Sequence, residues 1–361
     1  MYMPILKWKR GEQAALANLG PADKISTLPV IELLVLPDAD QAPDDQGRGP
    51  FHAIVQQILR AWGTTTPIAV DMEDADGTTL HPIDVLFAAG RGVGLQLVPV
   101  TGPARSPDYQ AAIARAVGSD HRGVVLRLSP DDLFDASMPA NVQQVLTQLG
   151  VAPPDVDFLC DLGFIGGQNA PMLVTAVRGV LANIPVLATW RHLIVAASNL
   201  PSDFSTIHGL GSVPRTEWAL WNALRGAARS PSFGDYAVAH PIYTQVPFAG
   251  AANIRYTIAS DWLIFRGFKV TMPGGFAQFV TMSQQLVLSP SFCGPGFSWG
   301  DGQIALYAGG ASGTGNMTTW RAIATNHHIV FVLRQLAAQQ VVGRGSPVGV
   351  SPVLAGPSAQ S

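Results

Sequence analysis

The sequence is poor in charge and in cysteine, and both shortages exclude classes of protein. Charged residues make up 13% of the 361 residues, whereas hydrophobic residues make up 47%. This balance predicts a compact chain with a large core and little disorder. The two cysteines, Cys160 and Cys293, have neither the number of a disulfide framework nor the spacing of a metal site. Both are therefore predicted to be buried thiols.

Long apolar runs, basic runs and a signal-peptide pattern are also missing. Proline, glycine or a charge interrupts each apolar run before the ~20 residues that a membrane span requires. The net charge of −3, without a basic run, argues against a nucleic-acid partner. The sequence also lacks a nucleophile elbow, a His-Glu-x-x-His motif and a Cys-x-x-Cys motif. We expect a cytoplasmic protein without a membrane partner.

Short apolar strand patterns alternate with helical patterns along most of the chain. The predicted strands are 3–9, 29–36, 67–72, 95–100, 124–128, 157–162, 192–198 and 235–240. The predicted helices between them are 12–19, 51–62, 82–89, 108–117, 139–149, 170–184 and 216–228. Nearly continuous apolar strands are typical of a parallel sheet covered on both faces. Eight such units, without a glycine-rich first turn, favour an α/β fold of the (β/α)8 TIM-like barrel type over an open sheet.

The stretch after the eighth predicted strand breaks this alternation. Within it, residues 253–257 and 262–270 predict a β-hairpin, and residues 276–288 predict a helix. Because loops after the strands build the site in such barrels, this insertion is predicted to cap the C-terminal mouth. The predicted division is 1–240 for the barrel strands, 241–316 for the cap, 317–341 for a closing helix and 342–361 for a flexible tail.

A charged residue recurs at about the same depth in five of the predicted strands. These residues are Lys7, Glu32, Asp71, Arg127 and Asp161. A charge inside an apolar strand is costly to bury unless it is paired, so the five side chains are predicted to meet at the mouth. Lys9 and Glu73 lie two residues further along and point the same way. Structural ion pairs are one interpretation, but buried pairs are a poor source of stability, which favours a ligand site.

Three chemistries fit these residues. In the first, Lys7, Lys9 and Arg127 bind a small anionic ligand, phosphorylated or nucleotide-like. Proton transfer then falls to Glu32, Asp71, Asp161 or His240. In the second, the three carboxylates hold Mg²⁺ for phosphodiester hydrolysis. In the third, Lys7 forms a Schiff base with a carbonyl compound. A non-catalytic protein that holds a partner through the insertion is a further alternative, so enzymatic activity stays open.

Three further segments carry candidate site residues. Gly313 and Gly315 belong to a glycine run before the last helix, where backbone N–H groups favour a phosphate, although a flexible connector is equally consistent. Arg255, Tyr256 and Trp262 on the predicted hairpin contact ligand from above or pack within the cap. The adjacent residues 326–328, Asn-His-His, point to different faces of the last helix and are predicted to be structural.

Several short motifs together resemble the Beta protein family, which is found in phages and in bacterial genomes. They are the segments 4–12, 29–32, 254–257, 262–267 and 320–321, with residues 326–328. The resemblance spans nearly the whole chain and implies a phage or antiphage-defence context and no particular reaction. It also implies that Lys7, Glu32, Arg255 and Trp262 belong to a common site.

Overall fold

Eight parallel strands close into a barrel in the computed structural model, which describes residues 1–73, 75, 79–242, 250–310 and 313–344, the last five by backbone alone. The barrel strands are β1 (Tyr2–Lys7), β2 (Val30–Glu32), β3 (Ile68–Asp71), β4 (Leu97–Thr101), β5 (Val124–Leu128), β6 (Val156–Phe164), β7 (His192–Ser198) and β9 (Ser232–Asp235). Strand β9 closes the ring by pairing in parallel with both β1 and β7. The predicted TIM-like barrel is confirmed.

Helices follow the barrel strands along the chain. They are α1 (Arg10–Ala17), α2 (Pro21–Ile25), α3 (His52–Ala61), α4 (Pro82–Gly92), α5 (Pro107–Asp120), α6 (Pro130–Phe134), α7 (Met138–Leu149), α8 (Ala170–Asn183) and α9 (Thr216–Leu224). The side chains of Ser106, Ser129 and Asn169 cap three of them by accepting backbone N–H groups, with proline in the first turn. None of the helices in the described ranges has both the length and the hydropathy to span a membrane.

Alternate residues of the strands face two different cores. In β1, Tyr2 and Leu6 belong to the large cluster between the barrel wall and the helices. Met3 and Ile5 belong to the smaller cluster inside the barrel, with side chains from the other strands. Because side chains alternate along a strand, Lys7 continues the inward series of Met3 and Ile5. The charged mouth therefore lies on top of an apolar interior.

The eighth barrel strand ends earlier than the sequence indicates, since residues 235–240 were the predicted strand. Strand β9 has one large apolar side chain, Phe233, and its Gly234 is tightly packed. A Cβ at Gly234 would lie 2.9 Å from the Cβ of Ala196 and 3.0 Å from the carbonyl oxygen of Met3. Such a strand gives a weak hydrophobic signal, whereas the apolar segment after it gives a stronger one. His240 consequently lies beyond the strand, not at its end.

A second sheet lies outside the barrel and is called the side sheet below. It consists of β8 (Gly209–Pro214), β10 (Ala251–Thr257) and β11 (Asp261–Lys269), in the order β10-β11-β8. The predicted hairpin is present as the antiparallel pair β10 and β11. Strand β8, which comes between β7 and α9, pairs antiparallel with β11. The side sheet therefore draws on two segments of the chain, and only two of its strands come from the insertion.

Three further helices lie in the last described ranges, 250–310 and 313–344: α10 (Gln278–Val287), α11 (Trp299–Ala308) and α12 (Met317–Arg344). Helices α10 and α12 match predicted helices, whereas α11 was not predicted. Residues 342–344, predicted as tail, belong to α12, and residues 345–361 lie outside the described ranges. Cys160 is buried as predicted, but Cys293 is exposed, which corrects the prediction for that thiol.

Candidate functional site

The five charged side chains predicted from strand depth do meet at the C-terminal mouth of the barrel. The strand register places Lys7 beside Glu32, and Glu32 beside Asp71. Paired residues of parallel strands point to the same face, so these side chains enter the barrel together. Arg127 of β5 and Asp161 of β6 approach from the opposite wall and bond each other directly.

Arg127 is the centre of this cluster. Its Nη1 donates to Oε1 of Glu32 at 2.8 Å and to Oδ2 of Asp71 at 2.7 Å, and its Nε donates to Oδ2 of Asp161 at 2.8 Å. Its Nη2 donates to the hydroxyl of Tyr236 at 2.9 Å. Burial alone would lower the pKa of Arg127, but its acidic neighbours, above all Asp161, hold that pKa well above its ordinary value. The guanidinium is therefore a permanent counter-charge for three carboxylates.

Tyr236 joins the cluster from the first position after β9. Its hydroxyl donates to Oδ2 of Asp161 at 2.6 Å. Burial, followed by the charge of Asp161, raises the pKa of Tyr236 well above its ordinary value, so the phenol stays neutral. Lys7 forms an ion pair with Glu32, and its ammonium lies 5.7 Å from the centre of the Tyr236 ring. Sequence reasoning missed Tyr236 because it placed the eighth strand too late.

Arg105 is a third cation at the mouth, and sequence reasoning missed it. It follows β4, one of the three barrel strands that lack the recurring charge. Its Nη2 lies 3.0 Å from Oδ1 of Asp71, and its Nη1 lies 3.3 Å from Oε1 of Glu73. The guanidinium also lies over the ring of Tyr109, 5.3 Å from its centre. Glu73, whose side chain is 70% exposed, thus marks the outer rim of the site.

The cluster lines a cavity of about 950 Å³, called the mouth cavity below. Its cations are Lys7, Arg105 and Arg127, and its carboxylates are Glu32, Asp71, Glu73, Asp132 and Asp161. The ion pairs considered as the alternative interpretation are therefore real, yet they border an open cavity and not a closed core. Carboxylates outnumber cations here, so this cavity does not favour an anion by charge alone.

A smaller cavity of about 380 Å³, called the basic pocket below, adjoins the mouth cavity. Lys7 and Ile242 line both cavities. Among the residues that the structure describes, five cations, Lys7, Lys9, Arg10, Arg255 and Arg321, and one carboxylate, Glu12, line the basic pocket. Lys9 and Arg255 were predicted site residues, whereas Arg10, Glu12 and Arg321 were missed as such. The two cavities thus differ in the sign of their charge.

Arg255 of β10 and Arg321 of α12 lie side by side in the basic pocket. Each donates from its Nη1 to the carbonyl oxygen of Val238, Arg321 at 2.8 Å. Burial, followed by the charge of Arg321, lowers the pKa of Arg255 well below its ordinary value. Glu12 is 4% exposed, and burial raises its pKa. Its Oε1 is 4.0 Å from Nε of Arg321, and its Oε2 has no hydrogen-bond partner.

His240 is placed away from the Arg127 cluster. It lines the basic pocket and not the mouth cavity. Its Nδ1 accepts the backbone N–H of Ile242 at 3.1 Å, and its ring centre is 4.7 Å from that of Phe164. A proton-transfer role for His240 would therefore act in the basic pocket, separately from Glu32, Asp71 and Asp161.

Tyr256 and Trp262 pack in the interior and line neither cavity. The hydroxyl of Tyr256 donates to Oδ1 of Asp301 at 2.7 Å, and its ring stacks on His327 with centres 3.9 Å apart. Trp262 is fully buried, with its ring centre 6.4 Å from that of His328. The structure supports the packing alternative for both aromatic residues, and does not place Trp262 in a common site with Lys7.

Gly313 and Gly315 also lie outside the linings of both cavities. Both adopt positive φ, 78° and 63°, which favours glycine. The indole N–H of Trp320 donates to the carbonyl oxygen of Thr314 at 3.0 Å and fixes the turn into α12. Residues 311 and 312 of the glycine run are outside the described ranges. These contacts favour a connector over a phosphate site for the described part of the run.

Asn326, His327 and His328, called the α12 clasp below, are fully buried and structural, as predicted. Asn326 donates to the carbonyl oxygen of Ala15 in α1 and accepts the N–H of Gly300 in α11. His327 bonds Asp301 at 2.8 Å. His328 bonds Asp235 of β9 at 2.8 Å and Thr257 of β10 at 2.8 Å. The clasp thereby joins α12 to the barrel and to the side sheet.

The donor set of the mouth does not fit a resident Mg²⁺ ion. Glu32, Asp71 and Asp161 each accept a hydrogen bond from Arg127, whose guanidinium lies between them where a cation would bind. Across the described ranges, no three His, Cys, Asp or Glu side chains are grouped as a metal site requires.

Comparison with known proteins gives one family match and several distant structural likenesses. The family model described as Beta protein matches residues 2–334. No curated protein sequence matches significantly. The chain is similar to 3-hexulose-6-phosphate synthase (17% identity, TM-score 0.34, 65% of this chain and 89% of that chain). It is also similar to triosephosphate isomerase of Bartonella henselae (12%, 0.36, 65% and 92%) and to the arginine decarboxylase of Paramecium bursaria Chlorella virus (7%, 0.31, 74% and 90%). Likenesses this low carry no inference about function, and the barrel rests on its own strand pairing.

Proposed function

The chain belongs to the Beta protein family, and we propose that it binds a small anionic ligand, phosphorylated or nucleotide-like, at the mouth of its barrel. The observation that carries this proposal is the mouth cavity of about 950 Å³ together with the adjoining basic pocket, whose cations supply the positive charge that an anion requires. Cavities that bind small molecules are commonly ~300–1,000 Å³ and hold a few convergent polar groups. The mouth cavity, at about 950 Å³, and the basic pocket, at about 380 Å³, each meet that description.

The cluster is ordered before any ligand binds. Each carboxylate around Arg127 has a fixed hydrogen bond, so little conformational entropy is lost when a ligand engages the remaining oxygens. The apolar interior beneath the mouth strengthens these electrostatic interactions because it excludes water.

For a catalytic role, the Lys7–Glu32 pair is the best placed to move a proton. Both side chains face the mouth cavity, and both are partly exposed to it, at 11% and 12%. Lys7 would donate a proton to a ligand oxygen and Glu32 would accept one. Asp71 and Asp161 act mainly by fixing Arg127, and the Schiff-base alternative would need Lys7 to leave Glu32 first.

Binding can be tested on the full-length protein by native mass spectrometry after gentle purification. Thermal-shift assays with a panel of sugar phosphates and nucleotides extend the test to added ligands. We expect a retained or stabilising phosphorylated compound in the wild type and weaker binding in Glu32→Gln. Arg60→Gln, an exposed residue of α3 that lines neither cavity, is the matched control. Absence of any retained or stabilising small molecule would refute the proposal.

The cellular setting that we propose is the cytoplasm of a bacterium, in a phage or antiphage-defence context. The context is an expectation that the resemblance to the family implies, and the free thiols of Cys160 and Cys293 fit a reducing compartment. Bacteria that express the wild type or Glu32→Gln should differ in plaque formation across a phage panel. Equal plaque counts with both proteins and with an empty vector would contradict the proposed phage or antiphage-defence context.

A role as an interaction protein is the second candidate, and exposed apolar residues of the side sheet favour it. Leu210 of β8 is 60% exposed and Phe268 of β11 is 46% exposed. Leu210→Ser and Phe268→Ser should abolish partner capture and leave small-molecule binding intact. Deleting the whole hairpin is unsuitable as a test, because it would remove the buried Tyr256 and Trp262. Unchanged capture by both variants would exclude the side sheet as the contact surface.

A further inference from the structure

We propose that the basic pocket is a phosphate-binding subsite, in which Arg255 and Arg321, assisted by Lys9, hold the phosphate group of a ligand that extends into the mouth cavity. This inference rests on the proposed function and deepens it, because it separates the anion from Arg127. It also defines the ligand as a phosphomonoester with hydroxyl or amino groups at its other end.

The charges of the two cavities decide where a phosphate binds. In the mouth cavity, Arg127 donates its N–H groups to three carboxylates and a phenol. Arg105 forms ion pairs with Asp71 and Glu73. A phosphate there would meet more carboxylates than cations. In the basic pocket, the described part of the lining would offer it five cations and a single carboxylate. Coulombic attraction therefore directs the anion to the basic pocket.

The arginine pair is arranged as a receptor for an anion. Arg255 and Arg321 share one neutral acceptor, the carbonyl oxygen of Val238, so neither of these bonds neutralises them. The partner of Arg255 at Nε is also neutral, the Asn253 side-chain oxygen at 3.1 Å. Two adjacent guanidinium groups repel each other, and a bound dianion would remove that repulsion. The planar fork of arginine matches phosphate oxygens geometrically.

The charge of Glu12 gives a second, independent prediction about phosphate binding. Its carboxyl is buried at the pocket, and its Oε2 has no hydrogen-bond partner. An ionised Glu12 opposes a bound phosphate, whereas a neutral side chain of the same shape does not. Removing this charge should therefore strengthen phosphate binding, which a merely structural role of the pocket would not produce.

The shared lining determines the class of ligand. Lys7 borders both cavities, so a molecule that fills both must pass beside its ammonium group. Beyond it, Glu32 and Asp71 offer carboxylate oxygens, which accept hydrogen bonds from hydroxyl or ammonium groups. A phosphorylated sugar or a phosphorylated amine has donors at one end and an anion at the other, and it meets both requirements.

The test measures the affinity of the full-length protein for inorganic phosphate and for a panel of sugar and amine phosphates by titration calorimetry. Arg255→Met and Arg321→Met should each weaken phosphate binding about tenfold or more, since a charge-assisted contact is lost. Glu12→Gln should tighten it severalfold, and the exposed Arg60→Gln should leave it unchanged. Circular dichroism and melting curves check that each variant is folded. Should an arginine variant fail to fold, Lys9→Gln, at an exposed position, should still weaken binding.

The outcomes separate this inference from the proposed function. If the wild type binds a phosphorylated compound, but Arg255→Met and Arg321→Met bind it equally well, the phosphate subsite is wrong and the mouth proposal stands. A second outcome is that the wild type binds inorganic phosphate and the arginine variants lose this binding, but no larger phosphorylated compound displaces the phosphate by also occupying the mouth cavity. The subsite then stands and the proposed function fails. If the wild type does not bind inorganic phosphate or any phosphorylated compound, both are wrong.

Discussion

Arg127 shows what strand depth can and cannot predict about a single residue. Arg127 lies at the same depth in its strand as Lys7 and Glu32 in theirs, and this position correctly predicts that its side chain reaches the mouth. The depth does not give its bonding partners, because these depend on the facing strands of the closed barrel and on Tyr236. The sequence favours a ligand role for Arg127 over an ion pair, whereas in the structure Arg127 neutralises three carboxylates.

Replacing Arg127 should damage the fold as well as the site. Arg127→Met leaves Glu32, Asp71 and Asp161 facing one another without their shared counter-charge. Breaking a buried ion network in this way costs about 3–5 kcal/mol of the free energy of unfolding. Urea denaturation should show this loss, with a smaller one for Arg127→Lys, which keeps the charge but not the fork. A midpoint for Arg127→Met equal to that of the wild type would contradict the structural role.

Glu217 provides a prediction about pH. This carboxyl is 2% exposed, and burial raises its pKa from 4.5 to about 8, although nearby Arg215 opposes the shift. The folded state therefore binds a proton that the unfolded state has released. Its contribution to stability is complete below about pH 4.5 and is lost as the pH rises through about 8.

Glu217→Gln should remove this pH dependence, since the amide cannot ionise. At about pH 9 the variant should be more stable than the wild type by an amount on the order of a few kcal/mol. At about pH 5 the two proteins should differ little. Urea titrations at several pH values measure the effect, and parallel stability curves for the two proteins would show that Glu217 does not titrate in this range.

At the scale of elements, the first seven barrel strands were predictable because each carries a run of branched apolar side chains. Strand β9 was misplaced because space inside the barrel limits it to small residues such as Gly234. Strand β8 was missed because its sequence, Gly-Leu-Gly-Ser-Val-Pro, is largely exposed and has no buried alternation. Helix α11 was missed because glycine occupies two of its positions, Gly300 and Gly302. The apolar pattern thus predicts elements that bury apolar side chains. It does not predict exposed strands or elements in which closely packed glycines replace such side chains.

Gly300 tests how closely α11 crosses α12. A Cβ at this position would lie 2.4 Å from the carbonyl oxygen of Ile323 and 3.2 Å from the backbone nitrogen of His327. Gly300→Ala should therefore destabilise the protein by about 1–3 kcal/mol through overpacking. Gly179 is the matched control, because it lies within α8 with open space around its Cβ position. Gly179→Ala should stabilise by about 0.5–1 kcal/mol. Thermal melts of both variants measure the two signs, and a stabilising Gly300→Ala would show that the helices separate easily.

At the scale of the whole molecule, the basic pocket is assembled from distant parts of the chain. Lys9 and Glu12 come from the start of the first βα unit, Arg255 from the side sheet and Arg321 from α12. No local motif links these positions, so the sequence could suggest individual candidates but not the pocket. Their meeting depends on the α12 clasp, which holds the side sheet against the barrel. The site is therefore sensitive to the stability of that junction.

The clasp should make the barrel and the side sheet unfold as one cooperative unit. His328 connects Asp235 of β9 to Thr257 of β10, and burial lowers the pKa of His328, so the link is a neutral imidazole. Hydrogen exchange in rising urea should give the same opening free energy for peptides of β9 and β10 in the wild type. His328→Ala should lower the opening free energy of β10 by about 1–3 kcal/mol more than that of β9, because buried partners lose their bonds. The exposed His52→Ala is the control, and clearly different opening energies in the wild type would show that the clasp does not couple the two sheets.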